Sequence, residues 1–216
     1  MSADSPVLVV LGAGPGLGAS VARRFTRDGY RVVLVSNEPP QLEEVADSLR
    51  ADGIDVSTLV LDLTDEEAVR RAMGELERID VLHFNPSAFR QKDPLHLTVD
   101  ELFADLRVGV APVLPALQGA RPKMPTGARL LVTGSAAADK PWNEAPSLGM
   151  QKAALRNLVT SIDKTLAPDG IRAVAVQVNG VLSREGAFTP DLIAEAMFDA
   201  VTRSDDDWTP HVMYDG

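Results

Sequence analysis

The feature that most constrains this 216-residue chain is a strict alternation of short apolar runs with amphipathic stretches. The runs Val7–Leu11, Arg31–Ser36, 54–61, 81–85, 128–133 and 171–178 have strand length and are rich in Val, Leu and Ile. Such continuous hydrophobicity marks strands buried on both faces, as in a parallel sheet. Helical patterns fall between them at 16–28, Pro39–Ala51, 65–78, 98 to about 118, 147–166 and Pro190–Thr202, and a last short strand is expected at His211–Tyr214. Gly29 and Gly53 can close the first two helices, and Pro39 suits the first turn of the second. Thr64 can cap the third, with Glu67 as its capping-box partner. Pro112 and Pro115 should kink or shorten the fourth. Right-handed crossovers then place helices on both faces of the sheet. The expectation is an α/β fold with a doubly wound parallel sheet, a three-layer α/β/α sandwich, in one domain over residues 1–216.

Composition excludes several classes of function. A formal net charge of −10 disfavours nucleic-acid and anionic-membrane partners, which demand clustered Lys and Arg. The acidic run Asp205-Asp206-Asp207 reads as a solubility feature. The absence of cysteine removes disulfides, thiolate chemistry and cysteine-based zinc sites. No histidine spacing resembles a metal site; His96 and His211 lack a partner pattern. The segment 1–6 has no basic region, and the apolar run behind it breaks at Gly12, so neither a signal peptide nor a membrane span is expected. A cytoplasmic location follows as an expectation.

Directly after the first strand comes Gly12-Ala13-Gly14-Pro15-Gly16-Leu17-Gly18, opening into a helix. Glycines in this context allow a tight turn, close backbone approach to a pyrophosphate, and helix–sheet packing without an intervening Cβ. The helix N-terminus then offers free amides and a positive dipole to phosphate. The loop therefore points to a dinucleotide. The second strand ends in Ser36 and Asn37, where a carboxylate would grip the ribose 2′-OH of NAD, with Glu38 one step further. Without that carboxylate a 2′-phosphate is not repelled, yet no arginine stands ready to hold it. The cofactor expectation is NAD(P)(H), with a mild lean to NADP(H).

In this order and spacing the chain resembles the short-chain dehydrogenase/reductase family from about Val7 to Phe188. The carriers are Gly12-x-x-x-Gly16-x-Gly18, Asp62-Leu63 after the third strand and Phe84-Asn85-Pro86-Ser87 after the fourth. Val132-Thr133-Gly134-Ser135 on the fifth strand and Asn179-Gly180 after the sixth complete the series. The resemblance implies a Rossmann fold and cofactor contacts at Asp62, Leu63, Asn85, Pro86, Ser87, Thr133, Asn179, Gly180 and Leu182, beside the glycine loop, Ser36 and Asn37. It also implies catalytic roles for Ser135, which positions substrate, and Lys152, which holds the nicotinamide ribose.

Two members of the family's catalytic set are replaced. The tyrosine position is Leu148, and the asparagine position on the preceding helix is Gly109. The segment between Asn179 and Pro190 is also too short for the family's usual substrate flap. His83 sits inside an apolar strand and reads as a buried, hydrogen-bonded histidine, while Asp139, Lys140, Asn143 and Glu144 lie on the loop before the helix, their charges read as solvated. Two readings stay open. One is an oxidoreductase with an altered proton donor, acting on an activated C=C or C=N bond with water or Ser135 completing the proton path. The other is a catalytically silent dinucleotide-binding sensor or partner subunit. The substrate is a small molecule that the residues do not name. The family also implies a homodimer or homotetramer through the apolar faces at 102–117 and 148–166.

Overall fold

The computed structural model describes residues 5–216; the residues of the N-terminal reading at 1–4 lie outside the described residues. Seven strands form one wholly parallel sheet in the order β3-β2-β1-β4-β5-β6-β7. They are β1 Val7–Leu11, β2 Arg31–Ser36, β3 Val56–Val60, β4 Val81–Phe84, β5 Arg129–Ser135, β6 Arg172–Val178 and β7 His211–Tyr214. The helices are α1 Leu17–Thr26, α2 Pro39–Ala51, α3 Glu66–Glu75, α4 Val99–Gly109, α5 Val113–Ala120, α6 Pro146–Leu166 and α7 Pro190–Thr202.

The strand alternation divides the core in two. On β1, Leu8 and Val10 face one hydrophobic cluster with Val21 of α1, Leu42 of α2 and Met197 of α7. Val7, Val9 and Leu11 face the other, with Val69 of α3, Ala116 of α5 and Leu155 of α6. This period of two explains why β1 is apolar at every position: both of its faces are covered. The fold is the expected three-layer α/β/α sandwich of the Rossmann type. No helix among the described residues is long and apolar enough to cross a membrane.

Local differences from the sequence pattern have physical causes. Thr64 does not cap α3; Asp65 does, its Oδ1 accepting from Ala68 N at 3.0 Å. Thr64 is instead drawn into a turn made by Asp62, whose Oδ1 accepts from its backbone N at 2.9 Å and its Oγ1 at 2.8 Å. The expected long fourth helix divides into α4 and α5, with Pro112 at the N-cap of α5 and Pro115 in its first turn, where a missing N–H costs little. The capping box lies on α4, where Thr98 and Glu101 exchange side-chain-to-backbone bonds. The strand expected at 54–61 is trimmed to Val56–Val60.

Candidate active site

The strand order reverses at β1, because β2 and β3 lie to one side of it and β4 onward to the other. Beyond the carboxyl ends of the strands at such a switch point an α/β sheet leaves a crevice. Here it is a cleft of about 340 Å³. Its walls bring together Gly12 and Gly14 after β1, Ser36 and Asn37 after β2, Asp62 and Leu63 after β3, and Asn85, Pro86 and Ser87 after β4. Ala13, Glu38, Gln41, Thr64 and Val108 complete the lining. Of these, Gln41 and Val108 carried no signal in the sequence pattern, because each enters the cleft from a helix that the topology alone brings near.

Gly12 adopts φ +74°, a left-handed conformation that side chains rarely take. A Cβ there would also lie 3.0 Å from Pro86 Cγ and N, so the β1 turn and the β4 turn close on each other at this point. Gly16, at the N-cap of α1, meets the opposite condition: a Cβ on it would find no atom within 4 Å. Ala19 N returns to Gly14 O at 3.1 Å and Ser20 N to Gly16 O at 3.2 Å. The preceding amides of Leu17 and Gly18 are the groups that a helix start leaves for an anion.

A polar chain fixes the floor beside this turn. Asn85 Nδ2 donates to Gly12 O at 3.0 Å, and Asn85 Oδ1 accepts from Thr133 Oγ1 at 2.8 Å. Thr133 has spent its proton on Asn85, so at its 2.9 Å contact with His83 Nε2 it must accept, which assigns a neutral imidazole protonated on Nε2. Burial, reinforced by the charge of Lys152, pushes the His83 pKa down to about 3. His83 therefore stays uncharged throughout the physiological range and supplies structure, as its place in β4 suggested.

Lys152 is 4% exposed on α6, and its Nζ donates to Thr133 O at 3.0 Å. Burial pushes its pKa down to about 8. It is not a surface lysine. Ser135 ends β5 and accepts from Ala137 N at 3.2 Å, which leaves its own hydroxyl proton free to donate. Leu148 stands half-buried in the first turn of α6, next to the fully buried Ser147. Neither tyrosine stands on α6: Tyr30 packs edge-on against Phe25, and Tyr214, on β7, against Phe188.

The remaining expected contacts lie apart from the cleft walls. Lys152 and Ser135 border a separate small void of about 10 Å³ with Gln177 and His211. Asn179 is turned toward β7, donating from Nδ2 to Asp215 Oδ1 at 2.8 Å and from its backbone N to Tyr214 O at 2.9 Å. Gly180 lies under the Phe188 ring, and Leu182 stands exposed on the open loop that follows. Asp139 is not a free solvated charge: it pairs with Arg156 and accepts from Gln177 Nε2 at 2.9 Å.

The comparisons with known proteins agree with this geometry. A family model described as short chain dehydrogenase matches residues 6–187. The fold superposes on a short chain dehydrogenase from Burkholderia cenocepacia, solved in complex with NADP, with a TM-score of 0.87 at 25% identity over 98% of this chain and 96% of that one. A metagenomic short-chain oxidoreductase, also in complex with NADP, gives 0.85 at 26% identity, covering 96% of each chain. Among curated relatives, sulfoacetaldehyde reductase 2 of Chromohalobacter salexigens is 27% identical over 184 residues, 80% of this chain and 71% of its own. With the glycine turn, the switch-point cleft and a family match across most of its length, the chain belongs to the short-chain dehydrogenases, a family of NAD(P)-dependent oxidoreductases.

Proposed function

We propose that this protein is an NAD(P)(H)-dependent oxidoreductase, with a lean to NADP(H), that works without the family's tyrosine. The observation that carries the reading is the cleft itself, which the Gly12 turn, the ends of β2 and β4 and the Asp62 wall line together. The residues fit a dinucleotide. The amides at the start of α1 suit the pyrophosphate, Asp62 and Leu63 the adenine, Ser36 and Asn37 the adenosine ribose, and Lys152 the nicotinamide ribose. When bound, such a cofactor supplies or accepts a hydride.

The chain's own residues then bind, orient and polarise. The Lys152 ammonium, held by Thr133 O, keeps a positive charge at the inner end of the site. Ser135 offers a hydroxyl proton to a substrate heteroatom. Leu148 has no proton to give, which favours a substrate whose reduction creates no alkoxide, an activated C=C or C=N bond, with water or Ser135 closing the proton path. The lean to NADP(H) is supported by Ser36 and Asn37 on the cleft wall and by the two NADP complexes of relatives. Glu38 on the same wall opposes it. A preference below about tenfold, or 1.4 kcal/mol, is the expected balance.

Calorimetric titration with NAD⁺, NADH, NADP⁺ and NADPH, followed by turnover against a panel of enones, imines and carbonyls, tests the reading. Binding of one pair together with turnover of an enone or imine is the expected result. Binding of no form would overturn the dinucleotide assignment. Firm binding with no turnover across the panel would overturn the enzymatic one and leave a cofactor-sensing protein.

A further inference from the structure

Where α6 crosses α4, the side chain of Gln151 on α6 takes up the room that a side chain at Gly109 of α4 would need. A Cβ there would lie 1.9 Å from Gln151 Oε1 and 2.7 Å from its Cδ. Gln151 is fully buried and adjacent in sequence to Lys152. Its carboxamide grips both backbone groups of one residue across the gap: Oε1 accepts from Ala88 N at 2.9 Å, and Nε2 donates to Ala88 O at 3.0 Å. Nε2 also reaches Ser147 O at 3.2 Å, one turn back on α6. A residue that only filled volume would need none of these bonds, and an apolar side chain of equal length would occupy the same space. The target gives the bonds their meaning. Ala88 follows Asn85, Pro86 and Ser87, which wall the cleft, and this segment has no strand or helix of its own to satisfy its backbone.

We propose that Gln151 is a positioning residue of the cofactor site. Its amide fixes Ala88, and with it the wall 85–88, against the helix that carries Lys152. Gly109 is the vacancy that lets the amide reach its target. This rests on the reading of the cleft as a nicotinamide-dinucleotide site. The adenosine end of that site lies at Ser36, Asn37 and Asp62, on the far side of β1 from Ala88, so loss of the amide should be felt at the nicotinamide end alone.

The test compares the full-length wild type with Gln151→Met, Gly109→Ala and the double variant. Methionine keeps the volume and removes the bonds. Alanine at 109 leaves Gln151 in the sequence but drives its amide off Ala88, although alanine is the better helix former. Dissociation constants are measured for NADPH or NADH, whichever the wild type binds more tightly, and for the matching adenosine fragment, adenosine 2′,5′-bisphosphate or AMP. Each single variant should weaken the dinucleotide about tenfold or more and leave the fragment within about twofold. The double variant should be no weaker than either single one, because all three lose the same interaction. If Gln151→Met does not fold, Gln151→Glu carries the comparison: it accepts from Ala88 N but repels Ala88 O, and the same selective loss is expected. Unchanged dinucleotide affinity, or parallel loss of both ligands with the melting temperature, would reduce Gln151 to a core filler. A wild type that binds no dinucleotide would overturn the cleft reading and the proposal together, whereas a binding wild type with unaffected variants overturns the proposal alone.

Discussion

Replacing Lys152 by methionine should weaken cofactor binding roughly 10- to 100-fold, the value of a charge-assisted hydrogen bond worth about 1.5–3 kcal/mol, while leaving the free chain at least as stable as the wild type. The two effects separate because the ammonium is buried before any ligand arrives. Burial lowers its pKa from 10.5 to about 8, so holding the charge inside costs about 3 kcal/mol at neutral pH. The bond to Thr133 O offsets part of that cost. Methionine removes both, for a net gain of up to about 2 kcal/mol. Thermal melting without and with cofactor reads the two effects in one experiment, and a destabilised free variant would contradict the account. The pH dependence has a definite sign. Between about 8 and 10.5 the unfolded lysine holds a proton that the folded one has released, so this group's contribution to stability rises with pH across that window. Cofactor affinity should move the other way and fall as pH passes 8, because the ammonium is lost.

The second large effect lies far from the cleft. Asp163→Ala should cost about 3–5 kcal/mol, the range for breaking a buried ion pair from one side. Asp163 is buried on α6, where Oδ1 accepts from Arg172 Nε at 2.9 Å, Ala173 N at 2.8 Å and Trp208 Nε1 at 3.0 Å, and Oδ2 from Arg172 Nη2 at 2.8 Å. Removing the carboxylate takes the acceptor from an amide and an indole N–H at once, and leaves the Arg172 guanidinium only a longer 3.9 Å approach to Asp205 and the face of Trp208. Burial alone would raise the Asp163 pKa, but Arg172 and the donors around it outweigh burial and hold it below 3.8. The stabilisation is therefore complete above pH 3.8 and is lost as pH falls through the lower folded value. Denaturant unfolding measures the loss. A cost under about 1 kcal/mol would mean that water already serves the site, as at an exposed pair. The double change Asp163→Leu with Arg172→Met should recover much of the stability, because no partner is then left charged and alone.

These two residues show how far the sequence could be read. The parallel sheet was legible because strands buried on both faces must be apolar at every position, as Val7–Leu11 is. The glycine turn was legible because its backbone geometry excludes side chains at Gly12. Lys152 could be placed by its register on α6, but its burial depends on how closely β5 packs beneath that helix. The capping of α3 went to Asp65 because Asp62 competed for Thr64, a contest between neighbours that a capping pattern does not encode. Gln151 was missed, although it lies four residues before the buried Leu155 and so on the inward face. Its partner, Ala88, lies 63 residues away in the loop after β4, and only the tertiary fold brings the two together. Asp163 was equally invisible, since Arg172 and Trp208 reach it from two other segments.

The chain from His83 through Thr133 and Asn85 to the carbonyl of Gly12 has an entropic consequence. Cradles built on mobile loops must be ordered when the ligand arrives, and that ordering is subtracted from affinity. Here two neighbouring strands tie down the glycine turn as the sheet forms. Its conformational freedom is surrendered during folding, when hydrophobic burial dominates the balance. The phosphates of a dinucleotide would thus meet a rigid surface, and the entropy left to lose on binding would belong mainly to the ligand and to the open segment around Leu182.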